Sequence, residues 1–91
     1  MQVRWTSKAL SDLVRLHEFL VSVNEPAAAR VLQSLVAAPD RLTDPPRNGE
    51  RLEEFAPREV RRILVGRYEM RYEVAGSFVV VLGLWHTWEE R

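Results

Sequence analysis

Residues 67–74 alternate strictly between charged and apolar or aromatic side chains, and this constrains the fold of the chain more than any other feature. A period of two is typical of a β-strand with one face against a core and the other in water. Residues 78–82 are apolar at every position, as in an interior strand, and Val60–Val65 is rich in β-branched residues. Val3 and Trp5 alternate with polar neighbours, which predicts a further short strand at the N-terminus.

Between these strands, the first half of the chain has the spacing of amphipathic helices. Apolar residues recur at steps of three and four from Ala9 onward. A hydroxyl at Thr6 or Ser7 is suited to cap the first turn, because it accepts a backbone N–H that has no partner inside the helix. This pattern predicts a first helix that ends at about Val21.

A second helix is predicted directly after the first. Asn24 is suited to cap it, and Pro26 is tolerated in a first turn, where its missing N–H would have had no partner. The apolar stripe stays in phase as far as Leu42, so we expect one helix bent at Pro39 rather than two separate helices. With a short turn between them, the two helices form an antiparallel hairpin.

These elements predict an α+β fold of order β-α-α-β-β-β. The helical hairpin packs on one face of a small, mainly antiparallel sheet, and the other face is left for function. Prolines and a glycine at 44–49 end the helical half, and residues 50–57 are expected to cross irregularly. Residues 1–91 are too few for a second core, so a single domain is predicted.

Composition excludes several classes of function. The chain has no cysteine, which removes disulfide scaffolds, thiolate zinc sites and cysteine catalysis. Its 13 basic residues match 13 acidic ones, whereas domains that bind nucleic acid by counterion release usually have a basic excess. Four scattered glycines form no phosphate-binding loop, and two histidines form no metal-ligand spacing, so no cofactor and no metal are expected. No apolar run approaches the about 20 residues of a membrane span, and no membrane association is expected.

Short motifs along nearly the whole chain, in order, resemble those of the RelE/ParE superfamily of bacterial toxins. The motifs are Trp5-Thr6 with Ala9, Asp12-Leu13, Pro26-Ala27-Ala28-Ala29, Pro46 with Gly49, Val60-Arg61, Val65-Gly66-Arg67-Tyr68, Tyr72 and Leu84-Trp85-His86-Thr87. The resemblance implies the β-α-α-β-β-β fold. It also implies a cytoplasmic bacterial protein that inhibits growth as the toxin of a type II toxin–antitoxin module and is neutralised by an antitoxin encoded beside it.

The superfamily divides by target. RelE-like members cleave messenger RNA on the ribosome, and ParE-like members poison DNA gyrase without known hydrolytic chemistry. RNA cleavage without a metal needs a base, an acid, and cations that stabilise the phosphorane. The residues suited to these roles are Glu50 and His86 as base and acid, Arg61, Arg67 and Arg71 as phosphate contacts, and Tyr68 and Tyr72 as positioning hydroxyls. His17 is interpreted as structural.

Two departures from the RNA-cleaving pattern favour the ParE-like branch. Where RNA-cleaving relatives commonly have a phosphate-binding arginine, directly after Tyr68, this chain has Glu69, which we expect to pair with a neighbouring arginine. Many relatives end in His-Thr-Arg, whereas this chain has His86-Thr87-Trp88, with tryptophan in place of the arginine. The sequence therefore assigns no residue as catalytic and predicts a toxin that binds a protein.

Three hypotheses remain. The first is a toxin that binds DNA gyrase, with Arg61, Arg67, Arg71, His86 and Trp88 as candidates for target contact. The second is a ribosome-dependent messenger-RNA endonuclease that uses His86, Arg61 and Glu50. The third is a degenerate toxin that keeps only its binding to the antitoxin.

Overall fold

Five strands, two α-helices and three short 3₁₀ helices occur in the described part of the chain, which is residues 1–43 and 46–87 of a computed structural model. The elements are β1 (Gln2–Trp5), α1 (Ser7–Val23), α2 (Glu25–Ala37), β2 (Glu50–Arg51), β3 (Val60–Val65), β4 (Tyr68–Ala75) and β5 (Phe78–His86). The predicted α+β fold is confirmed. The two-residue β2 is an addition, within the segment that was expected to be irregular.

The strands form one sheet in the order β1-β5-β4-β3-β2. The pairs β5–β4, β4–β3 and β3–β2 are antiparallel, whereas β1 lies parallel to β5. Parallel neighbours cannot be joined by a tight turn, and here the chain between β1 and β5 contains the helical hairpin and the other three strands. The sheet is thus mainly antiparallel, as predicted, and the last strand lies in its interior.

Both helices begin at the predicted caps. The Thr6 hydroxyl accepts the N–H of Ala9 at 3.0 Å, and the Asn24 side chain accepts the N–H of Ala27 at 3.2 Å. The predicted bend at Pro39 is a change of helix type, since α2 ends at Ala37 and a 3₁₀ helix continues to Leu42. Pro39 has no N–H to continue the α-helical hydrogen bonds, and in the first turn of the 3₁₀ helix that N–H is not required.

The core lies between the hairpin and one face of the sheet. Leu16 of α1 and Leu35 of α2 are buried against Met70 and Tyr72 of β4. In β5 the register shifts at Leu82, because Arg71 pairs with Gly83 while Tyr72 pairs with Val81. Because of this bulge Leu84 lies on the core side, as Val79 and Val81 do. The core also contains Ala9, Ala38, Leu42, Val65, Tyr68, Val79, Val81 and Leu84.

Helix α1 covers the part of β5 that extends beyond β1. The Thr6 hydroxyl donates to the carbonyl of Leu82 at 3.2 Å, and the Asp12 carboxylate accepts the N–H of Leu84 at 3.0 Å. A buried carboxylate thus replaces a strand as the hydrogen-bond partner of this edge, and Lys8 bonds to it at 2.7 Å. None of the helices in the described ranges is long and apolar enough to cross a membrane.

Candidate functional site

The sheet face opposite the helices holds a group of charged and aromatic side chains. Side chains alternate along a strand, so Glu69 and Arg71 point away from the core that Met70 and Tyr72 enter. Residues that pair directly across neighbouring strands point to the same face of the sheet, so Glu50, Arg62 and Trp85 lie on this face as well. We call this group the charged face; it consists of Glu50, Arg62, Glu69, Arg71 and Trp85.

Glu69 is the buried centre of the charged face. Its side chain is 1% exposed, and its carboxylate lies 2.9 Å from Nε of Arg71 and 3.3 Å from Nη1 of Arg62. The sequence pattern placed this residue on a solvated face, which is wrong. The expected pairing with neighbouring arginines is confirmed. A carboxylate this deeply buried requires such partners, because an unpaired buried charge is strongly unfavourable.

Aromatic rings cover the pair. The Arg71 guanidinium lies 4.9 Å from the ring centroid of Trp85 and 5.9 Å from that of Phe55, and Nζ of Lys8 lies 4.6 Å from the Trp85 centroid. These are cation–π contacts, which also exclude water from Glu69. Phe55 and Lys8 come from segments remote in sequence, so the strand pattern contained no signal for this burial.

The charged face is balanced in charge. Glu50 lies 3.1 Å from Arg62, and the hydrogen bond that Arg62 donates to Glu50, with the charges of Glu50 and Glu69, raises the pKa of Arg62 above its ordinary value. Two arginines thus face two carboxylates. Each guanidinium is engaged by a carboxylate, so the surface has no excess positive charge to offer an anion.

Arg61 lies on the opposite face of the sheet and holds the segment before β2. Its side chain donates to the carbonyl of Gly49 at 2.7 Å and to Glu59 at 2.8 Å. Arg47 also bonds to Glu59, and these contacts, that of Arg61 foremost, lower the pKa of Glu59 below its ordinary value. In this structure Arg61 stabilises a loop.

His86 ends β5, as predicted, and its ring meets Tyr68 edge-on, with centroids 5.2 Å apart and planes at 89°. His86 pairs with Tyr68 and Arg61 with Tyr72, four residues further along β4, so the two are about 13 Å apart along the strands and also lie on opposite sides of β4. Glu50 lies on the other face of the sheet. The structure therefore does not bring the three nuclease candidates together.

The remaining candidates for target contact lie in different parts of the structure. Arg67 is exposed in the turn between β3 and β4, whereas Arg71 is largely buried on the charged face. Trp88 lies outside the described residues. His17 is half-buried on α1, consistent with a structural role. No group of three or more metal-ligating side chains occurs within residues 1–43 and 46–87.

Sequence reasoning missed Arg62, Lys8 and Asp12. The spacing of Lys8 and Asp12, four residues apart on a helix, is a recognisable ion-pair signal. Nothing in the sequence indicated that Asp12 would also bind the backbone of β5. Arg62 had no signal, because its two acidic partners come from different strands.

The hydroxyl of Tyr72 is a structural group and not a surface hydroxyl. It accepts the N–H of Gly49 and donates to the carbonyl of Pro46, both at 2.9 Å, and the side chain is fully buried. Burial raises the pKa of Tyr72 above its ordinary value of 10.0, against the opposing effects of the Gly49 hydrogen bond and the Arg61 charge.

This arrangement predicts the behaviour of Tyr72→Phe. The variant leaves the Gly49 N–H without its partner and should lose about 1–2 kcal/mol of unfolding free energy at neutral pH. Because the pKa of Tyr72 is raised in the folded state, the unfolded chain loses this proton first as the pH rises. The contribution of Tyr72 to the free energy of unfolding is therefore fully present below pH 10.0 and falls above it. Urea unfolding at neutral and strongly alkaline pH should show a smaller alkaline loss for the variant than for the natural chain. Equal losses would contradict the assignment.

Comparison with known proteins identifies the family of this fold and site. Residues 3–90 match the model of the ParE toxin of type II toxin–antitoxin systems. The chain is 34% identical to Toxin RelE2 of Caulobacter vibrioides, over 93% of each chain. It is 38% identical to Toxin RelE1 of the same organism, over 92% of this chain and 90% of the relative.

A solved structure shares the fold. A chain of the chromosomal ParDE toxin–antitoxin system from P. aeruginosa superposes with a TM-score of 0.76 at 23% identity, and the match covers 92% of each chain. The agreement extends over almost all of the chain. The chain belongs to the ParE toxin family of type II toxin–antitoxin systems, within the RelE/ParE superfamily.

Proposed function

We propose that this toxin inhibits growth by binding a protein target, DNA gyrase, and that a cognate antitoxin neutralises it. The antitoxin partner follows from membership of the family. The observation that supports a protein target most is the buried Glu69 between Arg62 and Arg71. A phosphate that approached these arginines would meet two carboxylates already bound to them, which removes the electrostatic gain of nucleic-acid binding.

The composition of the charged face agrees with a protein target. Tryptophan and arginine are enriched in the cores of protein interfaces, where they contribute large contact areas. Trp85 is half-buried with Arg71 against its ring, so it is already held in one orientation. Rigid side chains lose little conformational entropy when a partner covers them.

A gyrase assay tests the proposal. Purified toxin should inhibit supercoiling and stabilise cleaved DNA–gyrase complexes, in proportion to the toxin added. The same toxin saturated with its antitoxin is the control, and it should leave the topoisomer ladder unchanged. An unchanged ladder with free toxin in large excess would contradict a gyrase target.

The alternative is a ribosome-dependent messenger-RNA endonuclease, and the RelE names of the two Caulobacter relatives favour it. Primer extension on cellular messages after brief induction distinguishes the two. Codon-phased cuts that disappear in His86→Ala would favour the endonuclease. Induction without growth arrest, cuts or gyrase inhibition would favour a degenerate toxin that keeps only antitoxin binding.

A further inference from the structure

Three arginines differ from the others in having neither a carboxylate nor an aromatic ring as a partner among the described residues. They are Arg30, Arg41 and Arg67. Arg4 lies over the Phe78 ring, and the remaining described arginines lie within 4.0 Å of an acidic side chain. The overall neutrality of the chain thus conceals a local excess of positive charge wherever these three are close together.

All three line one groove between α2 and the β3–β4 turn. Arg30 and Arg67 border a depression of about 310 Å³, and Arg41 borders an adjoining one of about 470 Å³. The two depressions share Ser34, Val65 and Gly66, so they adjoin. We call the whole the arginine groove. The described residues that line it include no carboxylate.

The floor and rim of the groove are aliphatic. Val31, Leu35 and Val65 line it, and Leu64 at its rim is 66% exposed. Tyr68 is the single aromatic side chain among the described lining residues, and it is buried and packed edge-on against His86. Single-stranded nucleic acid needs exposed rings on which its bases stack, and the groove has none in the part described. A ligand with both carboxylates and aliphatic side chains matches it better.

We propose that the arginine groove is the docking site for an acidic segment of the antitoxin, in which carboxylates alternate with apolar side chains. The inference rests on the antitoxin partner of the proposed function and adds the surface and the chemistry of contact. The carboxylates pair with Arg30, Arg41 and Arg67, and the apolar side chains cover Leu64 and Val65. Arg67 is also a candidate for target contact, so a segment bound here covers part of the surface that the target would use.

A charge-removal series tests the docking site. The triple variant Arg30→Gln, Arg41→Gln, Arg67→Gln should bind the antitoxin encoded beside the toxin about tenfold more weakly, with a shallower dependence on salt. The matched control Arg4→Gln, Arg51→Gln, Arg58→Gln removes the same charge from other surfaces and should stay within about twofold of the natural chain. Circular dichroism confirms that both variants fold.

The outcomes separate the two proposals. If the natural chain binds the antitoxin and the triple variant binds as tightly as the control, the docking site is wrong and the proposed function stands. If the natural chain does not bind the antitoxin, both fail. If the triple variant loses binding to a labelled single-stranded RNA but keeps its affinity for the antitoxin, the groove takes a nucleic acid and the peptide assignment is overturned.

Carbodiimide cross-linking supplies an independent test, because Lys8 is the one lysine of the chain. In the complex of Arg67→Lys with the antitoxin, the reagent should join position 67 to a carboxylate of the antitoxin. The natural complex, treated identically, gives the background from Lys8 and the N-terminal amine. Cross-links confined to that background would contradict contact at position 67.

Discussion

Replacing Glu69 with alanine is expected to lower the unfolding free energy by about 3 kcal/mol, or the melting temperature by roughly 15 °C. The substitution leaves two guanidiniums facing each other without the carboxylate that binds both. Removing one partner of a buried ion pair typically costs about 3–5 kcal/mol. The lower end applies because the Arg62 and Arg71 side chains keep 37% and 19% exposure and so retain some hydration.

Glu50→Ala is the matched control for Glu69→Ala. It removes a carboxylate bound to the same Arg62, but the Glu50 side chain is 62% exposed. An exposed ion pair contributes less than about 1 kcal/mol, so this variant should be nearly as stable as the natural chain. Urea denaturation followed by circular dichroism measures both. Equal effects would mean that burial of Glu69 is not what makes the pair stabilising.

Gly49→Ala is expected to destabilise the fold by about 2–3 kcal/mol, because there is no room for a side chain. A Cβ atom there would lie 2.6 Å from the backbone oxygen of Arg62 and 2.6 Å from the hydroxyl of Tyr72. The first contact cannot be relieved by rotating a side chain. The second displaces the hydroxyl that binds the N–H of Gly49 itself, so steric strain and a lost hydrogen bond add.

Gly83→Ala is the comparison for this prediction. Its Cβ atom would lie 2.8 Å from the outer edge of the Trp85 ring, 3.1 Å from Nζ of Lys8 and 3.2 Å from Oδ2 of Asp12, which are all side-chain atoms and not backbone. We expect a loss of about 1 kcal/mol, clearly below that of Gly49→Ala. Thermal unfolding of the two variants gives the order. The reverse order would show that the segment before β2 can shift to accommodate a methyl group.

The helices and the long strands were predictable because local signals agree with the tertiary structure. The caps at Thr6 and Asn24 and the alternation along β4 each have a cause within a few residues. The two-residue β2 was not predictable, since two residues contain no period. The change to a 3₁₀ helix was partly predictable: Pro39 indicated where the α-helix would be disturbed, but not in what form it would continue.

The candidate site was less predictable, because it depends on which strands become neighbours. The alternation along β4 correctly predicted on which face of the sheet Glu69 lies, but it did not predict that the side chain is buried. The burial results from Trp85 and Phe55, which cover Arg71. Arg61 was a reasonable phosphate contact until the register placed it beside the Gly49 carbonyl. The arginine groove likewise has no sequence signal, since Arg30 and Arg67 come from different elements.

The parallel pairing of β1 with β5 has a consequence for how the toxin comes into being. Gln2 pairs with Phe78, so β1 has no hydrogen-bonded neighbouring strand until β5 has been synthesised. Such distant closure is slow and cooperative. A growing chain that has not reached Phe78 leaves both β1 and the outer edge of β4 open. The five-stranded sheet of this toxin therefore cannot be complete before Phe78–His86 has been synthesised.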